Sequence, residues 1–117
     1  LRASVGGSFE KGDFALIDLG VSMRLPEGYE AHIAPRSSTF KHWGIFQTNS
    51  VGVIDNSFSG TNDVWKMPCF FTRDTVIEPN DRICQFRIEK IQPQIKFEEV
   101  EHLDEVSRGG IGSTGRQ

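Results

Sequence analysis

Apolar side chains recur at every second position along much of this sequence, which commits those stretches to strands packed on one face. In Val21-Ser-Met-Arg-Leu25 the apolar Val21, Met23 and Leu25 alternate with Ser22 and Arg24. Pro26-Glu-Gly28 then supplies a turn, because proline presets φ and glycine accepts a positive one. Tyr29, Ala31 and Ile33 alternate with Glu30 and His32 in a second strand, which Pro35 stops. After a turn at Glu78-Pro-Asn-Asp81, Cys84, Phe86 and Ile88 alternate with Gln85, Arg87 and Glu89, and a further short strand is expected through Ile95 and Phe97. Two apolar stretches flank Asn49-Ser-Val-Gly52, a pattern that predicts a β-hairpin. Only one stretch reads as helical, with Ser38 as the cap of a turn over residues 39–42 and Gly44 just past its end. Short strands separated by turn signals every eight to twelve residues or so imply an all-β sandwich or barrel.

The chain has 117 residues, enough for one domain with a single modest core. Hydrophobic residues at 37% and charged residues at 25% belong to a folded domain rather than to a disordered one. The net charge is -3 and no Lys/Arg run forms a patch, so neither nucleic acid nor a membrane surface is expected as the main partner. No apolar stretch approaches the roughly 18 residues of a membrane span, the start shows no signal-peptide pattern, and a cytoplasmic location is expected. Cys69 and Cys84 each sit in an apolar run and are expected as buried, reduced thiols. His32, His42 and His102 are scattered, which argues against a zinc site.

Three segments could carry chemistry. Ala34-Pro-Arg-Ser-Ser38 ends a strand and then offers a guanidinium, two hydroxyls and free N–H groups at the start of a helical turn. A phosphate finds its preferred partners there, although the same residues also read as a polar loop with a cap. Asp55 directly follows Val53 and Ile54, which would hold its carboxylate at the edge of a packed strand. A fixed carboxylate beside a cleft suits a general base for water. The plainer readings are a strand-end turn residue for Asp55 and a positive-φ turn position for Asn49. Beyond the acidic run Glu98-Glu-Val-Glu101, residues 108–117 carry no periodicity and are expected to be mobile in isolation. Four glycines among residues 109–115, with Arg108, Ser113 and Thr114, nonetheless make a chemically plausible phosphate cradle. It is not a Walker loop, since the Gly-Lys-Ser/Thr ending is missing.

Taken in order, Pro35-Arg-Ser-Ser38, Gly52-Val-Ile-Asp55-Asn-Ser-Phe58-Ser-Gly60, Arg82-Ile-Cys-Gln-Phe86 and Arg108-Gly-Gly-Ile-Gly-Ser-Thr-Gly115 resemble motifs two to five of the trimeric dUTP diphosphatases. The likeness covers essentially the whole chain. It implies a distorted β jelly roll that forms a homotrimer, with a jelly-roll domain over residues 1–106 and a C-terminal phosphate-binding arm over residues 107–117. The implied reaction is magnesium-assisted attack of water on the α-phosphate of dUTP, giving dUMP and pyrophosphate. Such an activity keeps uracil out of DNA and supplies dUMP for dTMP synthesis.

The resemblance also implies roles. Asn49 and the backbone of Gly52, Val53 and Ile54 would read the uracil edge, a kind of site whose discrimination reaches about 10⁴–10⁵. Phe58, in place of the family's usual Tyr, would lie beneath the deoxyribose. Asp55 would take the proton of the attacking water, with Gln85 hydrogen-bonding near that water and the phosphates. Arg36, Ser37 and Ser38 would hold the α- and β-phosphates, and Arg108, Gly112, Ser113 and Thr114 would close over the γ-phosphate. The family's first motif ends in Asp-Leu-Arg-Ala, whereas this sequence opens with Leu1-Arg2-Ala3. The Asp that holds Mg²⁺ through water is therefore expected upstream of Leu1, and no metal ligand is named within the chain. Ile111 stands where the family usually has a Phe that stacks on uracil, so an aromatic lid is expected either from elsewhere, around Trp65, Phe70 or Phe71, or to be weaker here.

Two other functions stay open at this point. A dCTP deaminase shares the fold but needs a base-activating Glu near the nucleobase turn, and residues 45–60 contain none. A nucleotide-sensing or partner-binding protein on the same scaffold would not need the metal carboxylate.

Overall fold

The computed structural model describes residues 1–104. In chain order its elements are β1 (Gly7–Phe9), β2 (Phe14–Asp18), β3 (Tyr29–Pro35), α1 (Thr39–Trp43), β4 (Ile45–Gln47), β5 (Gly52–Ile54), β6 (Lys66–Phe71), β7 (Thr75–Ile77) and β8 (Cys84–Lys90). Three antiparallel sheets result, in the orders β1-β7, β2-β6-β4 and β5-β3-β8. Neighbours in the two larger sheets are never consecutive in sequence, so the chain crosses repeatedly between layers, as a jelly roll requires.

The core lies between the sheets and follows the two-residue period. On β6, Met67, Cys69 and Phe71 point inward and are fully buried, as is Trp65 just before them. Ala31 and Ile33 of β3, Ile45 of β4 and Ile17 of β2 close around them. Phe9 stacks on Phe71 with ring centroids 4.3 Å apart. Each such large side chain contributes about 1.5–3 kcal/mol when fully buried. Cys69 and Cys84 are both buried and unbridged, as expected, and burial pushes their thiols up to about 12 and about 11.

Some expected elements take another form. Residues 21–25 do alternate, with Leu25 buried and Ser22 and Arg24 exposed, yet they join no sheet. They run extended beside the chain that enters β6, where Val21 O accepts from Trp65 N at 2.8 Å. The strand expected through Ile95 and Phe97 is absent, and those side chains lie exposed. The predicted hairpin around Asn49 is instead a crossover: β4 pairs with β6 and β5 with β3, so the turn links two sheets. α1 ends at Gly44 with φ 66°, a left-handed cap that glycine adopts without strain. Ser38 does occupy the N-cap, but its side chain makes no capping bond.

Candidate active site

Two clusters of candidate residues form at opposite corners of the β5-β3-β8 sheet. The first sits where β3 ends. Pro35 pairs with Cys84 of β8, and the chain then turns into α1 through Arg36, Ser37 and Ser38. The joint is Thr39, fully buried, whose hydroxyl accepts from Arg36 N at 2.9 Å and donates to Ile83 O at 2.8 Å. Arg36 Nη1 donates to Arg82 O at 2.9 Å, and Gln85 Nε2 donates to Pro35 O at 2.9 Å. Arg36 and Gln85 are thus aimed by backbone carbonyls at one end of the sheet. Ser37 is exposed and Ser38 half-buried, and neither hydroxyl has a partner among the described residues. This corner can bind an oxyanion: one guanidinium, two hydroxyls and an amide converge on it.

The second cluster follows β4 and β5. Asn49 is at the turn, Gly52, Val53 and Ile54 form β5, and Val53, Ile54, Asp55, Ser57 and Phe58 line a shallow concavity. Asn56 pins this region down, its Nδ2 donating to Leu25 O at 2.7 Å and Pro26 O at 3.0 Å. Asp55 Oδ1 accepts from Ser57 N at 2.8 Å and from the Ser57 hydroxyl. The Ser57 hydroxyl first, then its N–H, hold the Asp55 carboxyl below the usual carboxylate value, although burial acts slightly the other way. An ordered, ionised carboxylate thus lines the concavity. Asp55 is exposed in the single chain.

The two corners do not meet within one chain. Gln85 pairs with Ala34, whereas Asp55 follows Ile54, the partner of Ala31. The offset is therefore about four residues along β3 and two strands across, or about 16 Å. Among the described residues no three His, Cys, Asp or Glu side chains gather into a metal-binding group.

The other expected site residues fare differently. Trp65 and Phe71 are fully buried in the core and cannot act as an aromatic lid, because the two-residue period turns both inward. Phe70 points outward and is 39% exposed. Arg108, Gly112, Ser113 and Thr114 lie outside the described residues, as does the boundary expected at residues 106–107. Two functional supports were not anticipated from the sequence. Ser57 orders Asp55, and Gln47, only 7% exposed, donates through Nε2 to Asn49 Oδ1 at 2.9 Å. The Asp-x-Ser spacing of an Asx turn could have revealed the first.

The chain is similar to known proteins in sequence and in fold. The dUTPase family model matches residues 1–115. The SPbeta prophage-derived deoxyuridine 5'-triphosphate nucleotidohydrolase of Bacillus subtilis is 55% identical over 115 residues, covering 98% of this chain and 81% of the relative. In fold the chain is similar to a dUTPase from Streptococcus mutans, with TM-score 0.70 at 23% identity, covering 82% of this chain and 79% of that one. A dUTPase from phage phi11 of S. aureus, described with a structural Mg(II) ion, aligns with TM-score 0.73 at 16% identity over 89% of this chain and 82% of its own. No helix among the described residues is long and apolar enough to cross a membrane. On the family model and the B. subtilis relative together, the chain belongs to the dUTPase family.

Proposed function

We propose that this chain hydrolyses dUTP to dUMP and pyrophosphate as one subunit of a homotrimer whose active sites are shared between chains. The observation that carries this reading is the Asp55 carboxylate, ordered by Ser57 at the lip of a concavity that ends in Phe58. The similarity to a deoxyuridine triphosphate nucleotidohydrolase at 55% identity supplies the substrate.

Asn49 and the β5 backbone of Gly52, Val53 and Ile54 bind the uracil edge, and Phe58 lies beneath the deoxyribose. Asp55 Oδ2 takes a proton from a water as that water's oxygen bonds to the α-phosphorus. The bond from the α-phosphorus to the oxygen that bridges to the β-phosphorus breaks, and pyrophosphate leaves with that oxygen. Gln85 of the neighbouring copy, fixed through Nε2, presents Oε1 as an acceptor near that water. Arg36, Ser37 and Ser38 of a neighbouring copy hold the α- and β-phosphates and stabilise charge as it moves to the leaving group. Residues 1–106 form the folded domain, and residues 107–117 form a phosphate-binding arm that brings Arg108, Gly112, Ser113 and Thr114 to the γ-phosphate. Magnesium, the cofactor implied by the resemblance, would neutralise phosphate charge when bound.

Sharing between copies is supported by the separation of about 16 Å between the two corners, far beyond the few ångströms of a reacting pair. Residues 91–104 support it as well. They run on from β8 without a strand and expose Ile95, Phe97 and Leu103, the last two at 90% and 82%. Large apolar side chains left this bare mark an association surface.

Pyrophosphate release from each deoxynucleoside triphosphate, with and without magnesium, tests the reading. Hydrolysis of dUTP above the other substrates is expected, and Asp55→Asn should lower turnover by at least about 10²-fold with unchanged thermal melting. Near-normal turnover in that variant removes Asp55 from the mechanism.

A further inference from the structure

Gln47 reverses the usual order of burial on β4. It lies inside at 7% exposure, while its neighbour Phe46 stands out at 55%. Burying a primary amide while leaving a phenyl ring in water is unfavourable unless the amide's hydrogen bonds have a use. Both Nε2 hydrogens are engaged, one on Ile33 O of β3 at 2.9 Å and the other on Asn49 Oδ1 at 2.9 Å. Oε1 is buried with no partner.

These contacts fix a direction. The two ends of a side-chain amide are close in shape, so a flip normally exchanges donor and acceptor at little cost. Ile33 O belongs to the backbone of a paired strand and can only accept, so the atom of Gln47 that faces it must be the nitrogen. The second hydrogen of that nitrogen then meets Asn49, and the Asn49 atom it meets must be the oxygen. Asn49 Nδ2 is left without a partner among the described residues. That nitrogen overhangs Gly52, where an added Cβ would come within 3.2 Å of it. Flipping Gln47 would set Oε1 against the Ile33 carbonyl, so the orphaned Oε1 is the less costly arrangement.

The output of this relay is a pair of N–H donors at the mouth of the β4–β5 turn. Uracil presents a carbonyl oxygen at its 4-position, and cytosine presents an amino group there. A donor satisfies the first and opposes the second. We infer that Gln47 is a specificity-positioning residue: it locks the Asn49 amide with Nδ2 toward the 4-position of the pyrimidine and so selects uracil over cytosine. This rests on the proposal that Asn49 reads the base. Gln47 itself touches no substrate, since the Asn49 side chain lies between them.

The experiment measures kcat and KM for dUTP and dCTP in the full-length protein and in Gln47→Leu, Gln47→Met, Asn49→Ala and the double variant Gln47→Leu/Asn49→Ala. In Gln47→Leu and Gln47→Met the Asn49 amide is free to turn, and the dUTP:dCTP ratio of kcat/KM should fall about tenfold, carried by KM rather than kcat. In the Asn49→Ala background Gln47→Leu should change that ratio by less than about twofold, because the relay then has no output. A ratio that stays at the wild-type value in folded Gln47→Leu and Gln47→Met overturns the inference, as does an equal fall in both backgrounds. The wild-type protein supplies an arm independent of folding: by NMR the Gln47 side-chain amide protons should exchange slowly and those of Asn49 fast. The reverse pattern overturns the inference too. If the wild-type protein does not hydrolyse dUTP, the proposed function fails; if it does while Gln47 proves neutral, only this inference fails.

Discussion

Mixing two inactive variants gives a sharp test of how the site is assembled. Asp55→Asn removes the proposed base from one corner of the β5-β3-β8 sheet, and Arg36→Ala removes the guanidinium from the other. Each variant alone should be nearly inactive. Arg36 lies about six residues along β3 and one strand across from Asp55, or about 20 Å, so one chain's pair does not meet on one phosphorus. If each site takes Asp55 from one chain and Arg36 from the next, co-refolding an equal mixture regenerates intact sites. A site is intact when its first chain carries Asp55 and its second carries Arg36, which random closed assembly achieves in about one quarter of cases. The assay is pyrophosphate release from dUTP per mole of chain, with native mass spectrometry to establish that mixed oligomers formed. Recovery to about one quarter of wild-type activity is expected. Mixed oligomers with no activity above that of the separate variants would refute the reasoning, because they would place Asp55 and Arg36 in one chain's site.

Thr39→Val should destabilise the fold by about 2–3 kcal/mol in urea unfolding and Thr39→Ser by only about 1, because valine orphans both Arg36 N and Ile83 O while serine loses one methyl. Equal losses would mean that packing, not the hydroxyl, fastens the Pro-Arg-Ser segment. Since Ser57 lowers the Asp55 pKa from 3.8, Asp55 adds stability that is present above that value and lost as pH falls through the lowered one. Ser57→Ala should correspondingly move the acid limb of kcat/KM to higher pH, and an unmoved limb would mean that another group titrates there. Deleting residues 108–117 should raise KM or abolish turnover without changing thermal melting, and unaltered kinetics would exclude the arm from the site. With thiols near 12 and 11, Cys69 and Cys84 should resist alkylation at pH 8 in the native protein and react in urea; native labelling would contradict their burial.

The two-residue period made β3 legible, since Ala31 and Ile33 face a core, and marked β8 as a strand that pairs along the whole of β3, although Phe86 and Ile88 of its apolar face lie exposed. The same period failed over residues 21–25, because alternation records which side is buried and not whether a partner strand lies alongside. β1, β2, β6 and β7 were not marked individually. On β6 and β2 both faces carry large apolar residues, with Phe70 and Phe14 outside and Phe71 and Ile17 inside, which blurs the alternation. Around Asn49, local sequence suggested a hairpin, but the choice between a hairpin and a crossover lies with the distant partners β3 and β6. Site chemistry could be read wherever it rests on residue type in series, as in Pro35-Arg-Ser-Ser38 and Gly52-Val-Ile-Asp55. Thr39 and Gln47 could not, because their importance comes from carbonyls 44 and 14 residues away in sequence.

Those carbonyls point to a common device. Arg36 is aimed by Arg82 O, Gln85 by Pro35 O and Gln47 by Ile33 O, each at 2.9 Å. All three acceptors lie in β3 or just before β8, in a sheet whose pairing runs from Tyr29↔Lys90 to Pro35↔Cys84. A backbone carbonyl in such a ladder cannot exchange roles with a donor, so each polar side chain inherits a fixed polarity from the fold. The side chains need little reordering when substrate arrives, which keeps the entropy cost of binding low. In the proposed shared site, what remains to be organised is the approach of one copy's Asp55 corner to another's Arg36 corner. Substitutions within a corner should therefore alter chemistry or specificity, whereas substitutions between the corners should act through assembly and depend on protein concentration.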